Sequence, residues 1–120
     1  MAGMTLEAFE SQVTSACAVS PIVGGVSTVA SGVTWICLRA HLVDGSFVDA
    51  FYNEATGRTS FALIKGTDRI FGADNTSRWH WHPFDAPDTH IPTPDPVTFE
   101  VFLMQIEERL TLAPFETSPR

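Results

Sequence analysis

His80, His82 and His90 fall in one short stretch, Asp74–His90, which reads DNTSRWHWHPFDAPDTH and holds three of the chain's four histidines. The same stretch contains Trp79 and Trp81, Pro83 and Pro87, and the polar groups Asn75, Asp85 and Asp88. Imidazole transfers protons near neutral pH and also ligates divalent metals. If residues 78–82 are extended, side chains alternate between two faces. Arg78, His80 and His82 then point one way, with the two imidazoles about 6–7 Å apart, while Trp79 and Trp81 point the other way.

Two chemistries fit these residue types. The first is metal-free RNA cleavage. One histidine removes the 2′-hydroxyl proton, a second protonates the leaving oxygen, and a guanidinium stabilises the phosphorane. The candidates are His80, His82 and His90 with Arg78, and Asp74 as the group that orients an imidazole. The second is a metal site. His80-x-His82 is a frequent ligand pair, which His90, Asp85 or Asp88 would complete. Against both stands a plain structural reading. Trp79 and Trp81 serve as anchors, Asp74-Asn75 forms a turn, and Asp88-Thr89 shapes a loop. His41 reads as a surface residue. Arg58, Lys65 and Arg69 read as charge balance on the exposed sheet face, close enough to form a small cationic patch beside the loop.

The totals narrow the function classes. The chain has 120 residues, 44% of them hydrophobic, with 14 acidic against 7 basic residues and a net charge of −7. That suits one domain over residues 1–120 with a real core. It argues against non-specific nucleic-acid binding, which depends on Lys and Arg neutralising phosphates. A strongly acidic surface also fits a protein soluble in high salt. Cys17 and Cys37 are expected as small buried thiols, with a disulfide left open. The start lacks a basic segment followed by an apolar one, so no signal peptide is read and cytoplasm is the expectation. No apolar run reaches the length of a membrane span. No motif calls for a cofactor.

The scaffold reads as α+β: an antiparallel meander of four to five strands packed by N- and C-terminal helices. Leu6, Phe9, Val13 and Cys17 give one stripe to a helix over 5–17, with Thr5 as its cap and Ser20-Pro21 after its end. Residues 22–30 predict an edge strand with Gly24 and Gly25 as a bulge, followed by a turn at Ser31-Gly32. The remaining strands are expected at 33–43, 46–53, 58–65 and 69–73, joined through Asp44-Gly45, Gly57 and Gly66. Together they place the sheet at about 22–74. Residues 75–96 hold five prolines, Pro83, Pro87, Pro92, Pro94 and Pro96, and are expected as loop. A second helix is expected over 98–110, capped by Thr98 with Val97 packed on Phe102, and residues 113–120 are expected to fray.

Residues 37–90 resemble the TumE family of toxin–antitoxin proteins, in an acidic, archaeal-type branch. The matching segments are Leu42-Val-Asp-Gly-Ser-Phe47, Tyr52-Asn-Glu-Ala-Thr-Gly57, Thr59-Ser-Phe61, Arg69-Ile-Phe71, Asp74-Asn75 and His80-Trp-His82-Pro83, ending at His90. The resemblance implies a small cytoplasmic toxin paired with a DNA-binding antitoxin and names no reaction; RNA as its target is the expectation drawn from the histidines and Arg78. The chain departs from the pattern in three places. Gly72 stands where family members carry an arginine, the histidines are spaced as His80 and His82 where the family has adjacent ones, and the family's histidine near the start of the third strand is absent. A binding module of the same fold, acting on protein or metal without catalysis, is the other expectation. An exposed sheet edge makes a homodimer a further expectation.

Overall fold

The computed structural model describes residues 3–117, and their side chains as far as Leu110. The fold is α+β, with two helices and a seven-stranded antiparallel sheet among the described residues. Helix α1 spans Leu6–Ala18. The strands are β1 (Val23–Ser31), β2 (Trp35–Leu42), β3 (Phe47–Asn53), β4 (Thr59–Lys65), β5 (Asp68–Asp74), β6 (His80–His82) and β7 (Ile91–Pro92), followed by α2 (Phe99–Thr117). Each strand pairs with its sequence neighbours, so the order across the sheet is the order along the chain.

Period-two patterning decides which face is buried. Ile36, Leu38, Ala40 and Leu42 alternate inward on β2, and Val48, Ala50 and Tyr52 do so on β3. Phe61, Leu63, Phe71 and Ala73 continue that face across β4 and β5. Both helices pack there. Phe9 of α1 stacks on Tyr52 and Phe61, and Phe102 of α2 packs on Phe61 and Phe71. The caps are the expected ones: Thr5 Oγ1 accepts from the Ala8 amide, and Thr98 Oγ1 accepts from the Val101 amide. Each such cap is worth about 1 kcal/mol.

Four differences from the sequence reading bear on the site. The segment 75–96 is not all loop, because β6 and β7 extend the sheet to Pro92 and raise the strand count to seven. Proline is tolerated in β7 because that strand is the sheet edge, where no ladder bond is lost. The first hairpin turns through Gly32–Thr34, with the Gly32 amide donating to Trp35 O, and not through Ser31-Gly32. The backbone of α2 stays helical to Thr117, beyond the expected end at 110. Of the segment expected to fray, residues 118–120 lie outside the described residues. Finally, Cys17 is buried but Cys37 is half-buried, and both are free thiols. They sit apart because Cys17 faces the core from α1, whereas Cys37 lies on the outer face of β2. Burial pushes the Cys17 thiol up to about 11.

Among the described residues, no helix is long and apolar enough to cross a membrane.

Candidate metal centre

The outer face of the sheet, opposite the helices, carries the histidines. In the β5–β6 ladder Gly72 pairs with His82, Ala73 with Trp81, and Asp74 with His80. Alternation therefore sends Trp81 inward and Asp74, His80 and His82 outward. Trp81 stacks on Phe71 and Phe102 in the core, and Trp79 stacks on Phe61. The two indoles are the anchors that the sequence suggested, and they fix the register that aims the imidazoles.

A tight reversal brings β6 back onto β5. Asn75 holds it to the β3–β4 turn: its Oδ1 accepts from the Thr59 amide at 2.8 Å and its Nδ2 donates to Gly57 O at 2.9 Å. Ser77 sits in the left-handed region, with φ 69°.

His80 and His82 are only 7% and 3% exposed, although they lie on the outer face. Their cover comes from the later part of the segment Pro83–His90, where Pro87 O meets His82 and His90 lies against both rings. Phe84 stacks on Phe71 at 4.1 Å to pin its start, and His90 lies over the two rings at its end. The three imidazole centroids are 4.6–4.9 Å apart, with His80 and His90 nearly parallel. One ring nitrogen from each of the three falls within 4.8 Å of the other two. His90 is exposed and forms the open side.

The hydrogen bonds are specific to each nitrogen. His80 Nδ1 donates to Arg78 O at 3.0 Å, and His82 Nδ1 donates to Pro87 O at 3.0 Å. A carbonyl oxygen can only accept, so both Nδ1 atoms carry the proton. The Nε2 atoms both face one carboxylate: His82 Nε2 lies 2.9 Å from Asp74 Oδ2, and His80 Nε2 lies 3.2 Å from Asp74 Oδ1. Burial would raise the Asp74 carboxyl, but the Thr76 amide, the His82 ring, the Thr76 hydroxyl and the nearby His80 outweigh it and hold it below the usual carboxylate range.

Arg69 reaches the site by way of a β-bulge. The β4–β5 register shifts between Leu63 and Ile64, so Ile64 pairs with Arg69 where strict alternation would pair it with Ile70. The extra residue moves Arg69 onto the outer face with Gly72 and His82. Its guanidinium donates to Pro87 O at 3.0 Å. It also lies 3.4 Å from His82 Nδ1, but that nitrogen already donates to the same carbonyl. The two donors are neighbours sharing an acceptor, not partners. Gly72 makes the passage possible. A Cβ there would stand 3.2 Å from Phe61 O and 3.3 Å from Arg69 Cδ.

The structure thus gathers Asp74, His80, His82 and His90 of the predicted set. The Arg78 side chain is exposed and makes no hydrogen bond among the described residues; Arg78 contributes its carbonyl. Asp85 and Asp88 do not complete the cluster. Asp85 is turned to Arg109 at 3.2 Å, and both are exposed. His41 is a surface residue bonded to Ser27. Arg69 was assigned to charge balance because nothing in the sequence marks the bulge at Ile70. Gly72, a glycine inside a strand, was the one signal that a side chain passes over β5 there.

The chain matches no protein-family model, no curated protein and no solved structure.

Proposed function

We propose that Asp74, His80, His82 and His90 form a divalent transition-metal centre, and that the chain works through it as a metal-binding module. The observation that carries this reading is the pairing of the ring nitrogens. With Nδ1 of His80 and His82 each donating to a backbone carbonyl, a neutral ring presents a lone pair at Nε2. Both lone pairs would then face the oxygens of one carboxylate, which is repulsive. Protonating one ring leaves the other lone pair against the carboxylate, and protonating both sets two buried imidazolium rings 4.9 Å apart, where like charges repel. A cation between the Nε2 atoms and the carboxylate satisfies all the groups at once. Backbone carbonyls that fix the Nδ1 protons are the usual outer partners of metal-bound histidines.

The spacing agrees. Metal–ligand bonds of about 2.0–2.1 Å in a tetrahedron place neighbouring ligand atoms about 3.3 Å apart. The Nε2-to-carboxylate separations are 2.9 and 3.2 Å, and one ring nitrogen from each of the three histidines lies within 4.8 Å of the other two. His90 would complete the set from the solvent side, and imidazole with carboxylate is a donor mix suited to zinc.

The test is calorimetric titration of Zn²⁺ into protein made without a His tag and stripped with EDTA. The expected result is about one ion per chain, with binding lost in His82→Ala and weakened at least tenfold in His90→Ala. Heats for the wild type no larger than those for His82→Ala would remove the proposal.

The resemblance to TumE toxins supports a proposed setting, a cytoplasmic toxin component held by a DNA-binding antitoxin; RNA as its target rests on the histidines. Metal-free cleavage by a histidine pair needs two accessible rings. Here His80 and His82 are buried with their nitrogens engaged, and His90 alone is open. Chemistry on RNA would therefore run through the metal.

A further inference from the structure

We infer that the centre's exogenous ligand is a phosphate-class oxyanion, free or esterified, gripped by Arg69; this rests on the metal reading and names its substrate class. The starting point is the bulge at Ile70, which turns Arg69 from the core side to the outer face. Bulges commonly re-aim a side chain beside a functional site. Arg69 has no ion pair among the described residues, and neither have Arg58, Lys65 and Arg78; what singles Arg69 out is its place beside His82. Its contact is the neutral carbonyl of Pro87, which leaves most of its five N–H donors open.

The local charge points the same way. A divalent ion cancels Asp74 and leaves one positive charge, and Arg69 adds a second. The patch is then cationic on a chain of net charge −7. Such a spot draws anions. A guanidinium fork fits two oxygens of a tetrahedral oxyanion, and a third oxygen would reach the metal as a fifth ligand, expanding its shell from four. The flap already ties the two together, because Pro87 O accepts from both Arg69 and His82. The acidic total argues against long-range capture of polynucleotide, so recognition is confined to one phosphate group at the centre.

The experiment loads the protein with zinc and then titrates inorganic phosphate, a nucleoside monophosphate and acetate in separate arms. The wild type is expected to bind both phosphate species and not acetate. Arg69→Gln should weaken phosphate at least tenfold while leaving zinc stoichiometry unchanged, and Arg39→Gln, three strands away on β2, should match the wild type. Binding by inorganic phosphate alone would identify a free-ion site, and binding by the nucleotide as well an ester site. Zinc-loaded protein that binds neither, binds acetate equally, or binds phosphate equally well as Arg69→Gln would overturn the inference while leaving the metal centre standing. Failure to load zinc counts against the metal centre itself.

Discussion

Asp74 takes three contacts at once, from the Thr76 amide at 3.0 Å and from the Nε2 atoms of His80 and His82. Its sequence position suggested a turn former or an imidazole orienter, and it does both. The turn role follows from local chemistry, since aspartate commonly bonds an amide two residues on. The histidine role depends on a strand pairing eight residues away, which only the fold supplies. Its lowered carboxyl pKa has a stability consequence with a definite sign. A folded-state value below the ordinary 3.8 contributes stability that is complete above that pH and is lost as the pH falls below it. In EDTA, the thermal midpoint of the wild type should therefore fall more steeply below about pH 3.8 than that of Asp74→Asn. Parallel curves for the two proteins would show that Asp74 is not held this way. Asp44 is held low as well, chiefly by the Ser46 hydroxyl, so the difference between the two proteins is the quantity to read.

Strands β2 to β4 were legible because each is at least seven residues long, alternates cleanly and ends at a strong turn. Strand β6 was not, since three residues between prolines and polar groups carry too little pattern to separate a strand from a loop. What could be read was the alternation itself: histidines to one face, tryptophans to the other. The bulge at Ile70 was hidden for a different reason, because one extra residue leaves no compositional mark. The β5–β6 reversal stores a small strain at Ser77, whose positive φ costs an L-residue about 1–2 kcal/mol. Replacing it by glycine removes that cost but adds freedom to the unfolded chain. The net expectation for Ser77→Gly is a gain of about 0.5–1 kcal/mol by urea unfolding, and a loss for the β-branched Ser77→Val. A glycine variant less stable than the wild type would mean that the Ser77 side chain does more than tolerate the turn.

At the scale of the molecule, the two sheet faces divide the labour. The inner face and the helices make the core, as the apolar stripes of the sequence required. The outer face is open over β1 to β4 and covered over β5 and β6 by the flap. The proposed toxin role belongs to this scale: induced wild type should arrest growth, and a His80→Ala/His82→Ala double variant should not. Equal arrest would separate the centre from any toxicity. All of this turns on whether the cluster holds a metal, and the most direct measurement is the visible absorption of the EDTA-stripped, untagged protein loaded with Co²⁺. The account predicts d–d bands of tetrahedral intensity that saturate at one ion per chain, vanish on adding Zn²⁺, and are absent in His82→Ala. A spectrum no different from octahedral aqueous Co²⁺, identical in wild type and His82→Ala, would contradict it.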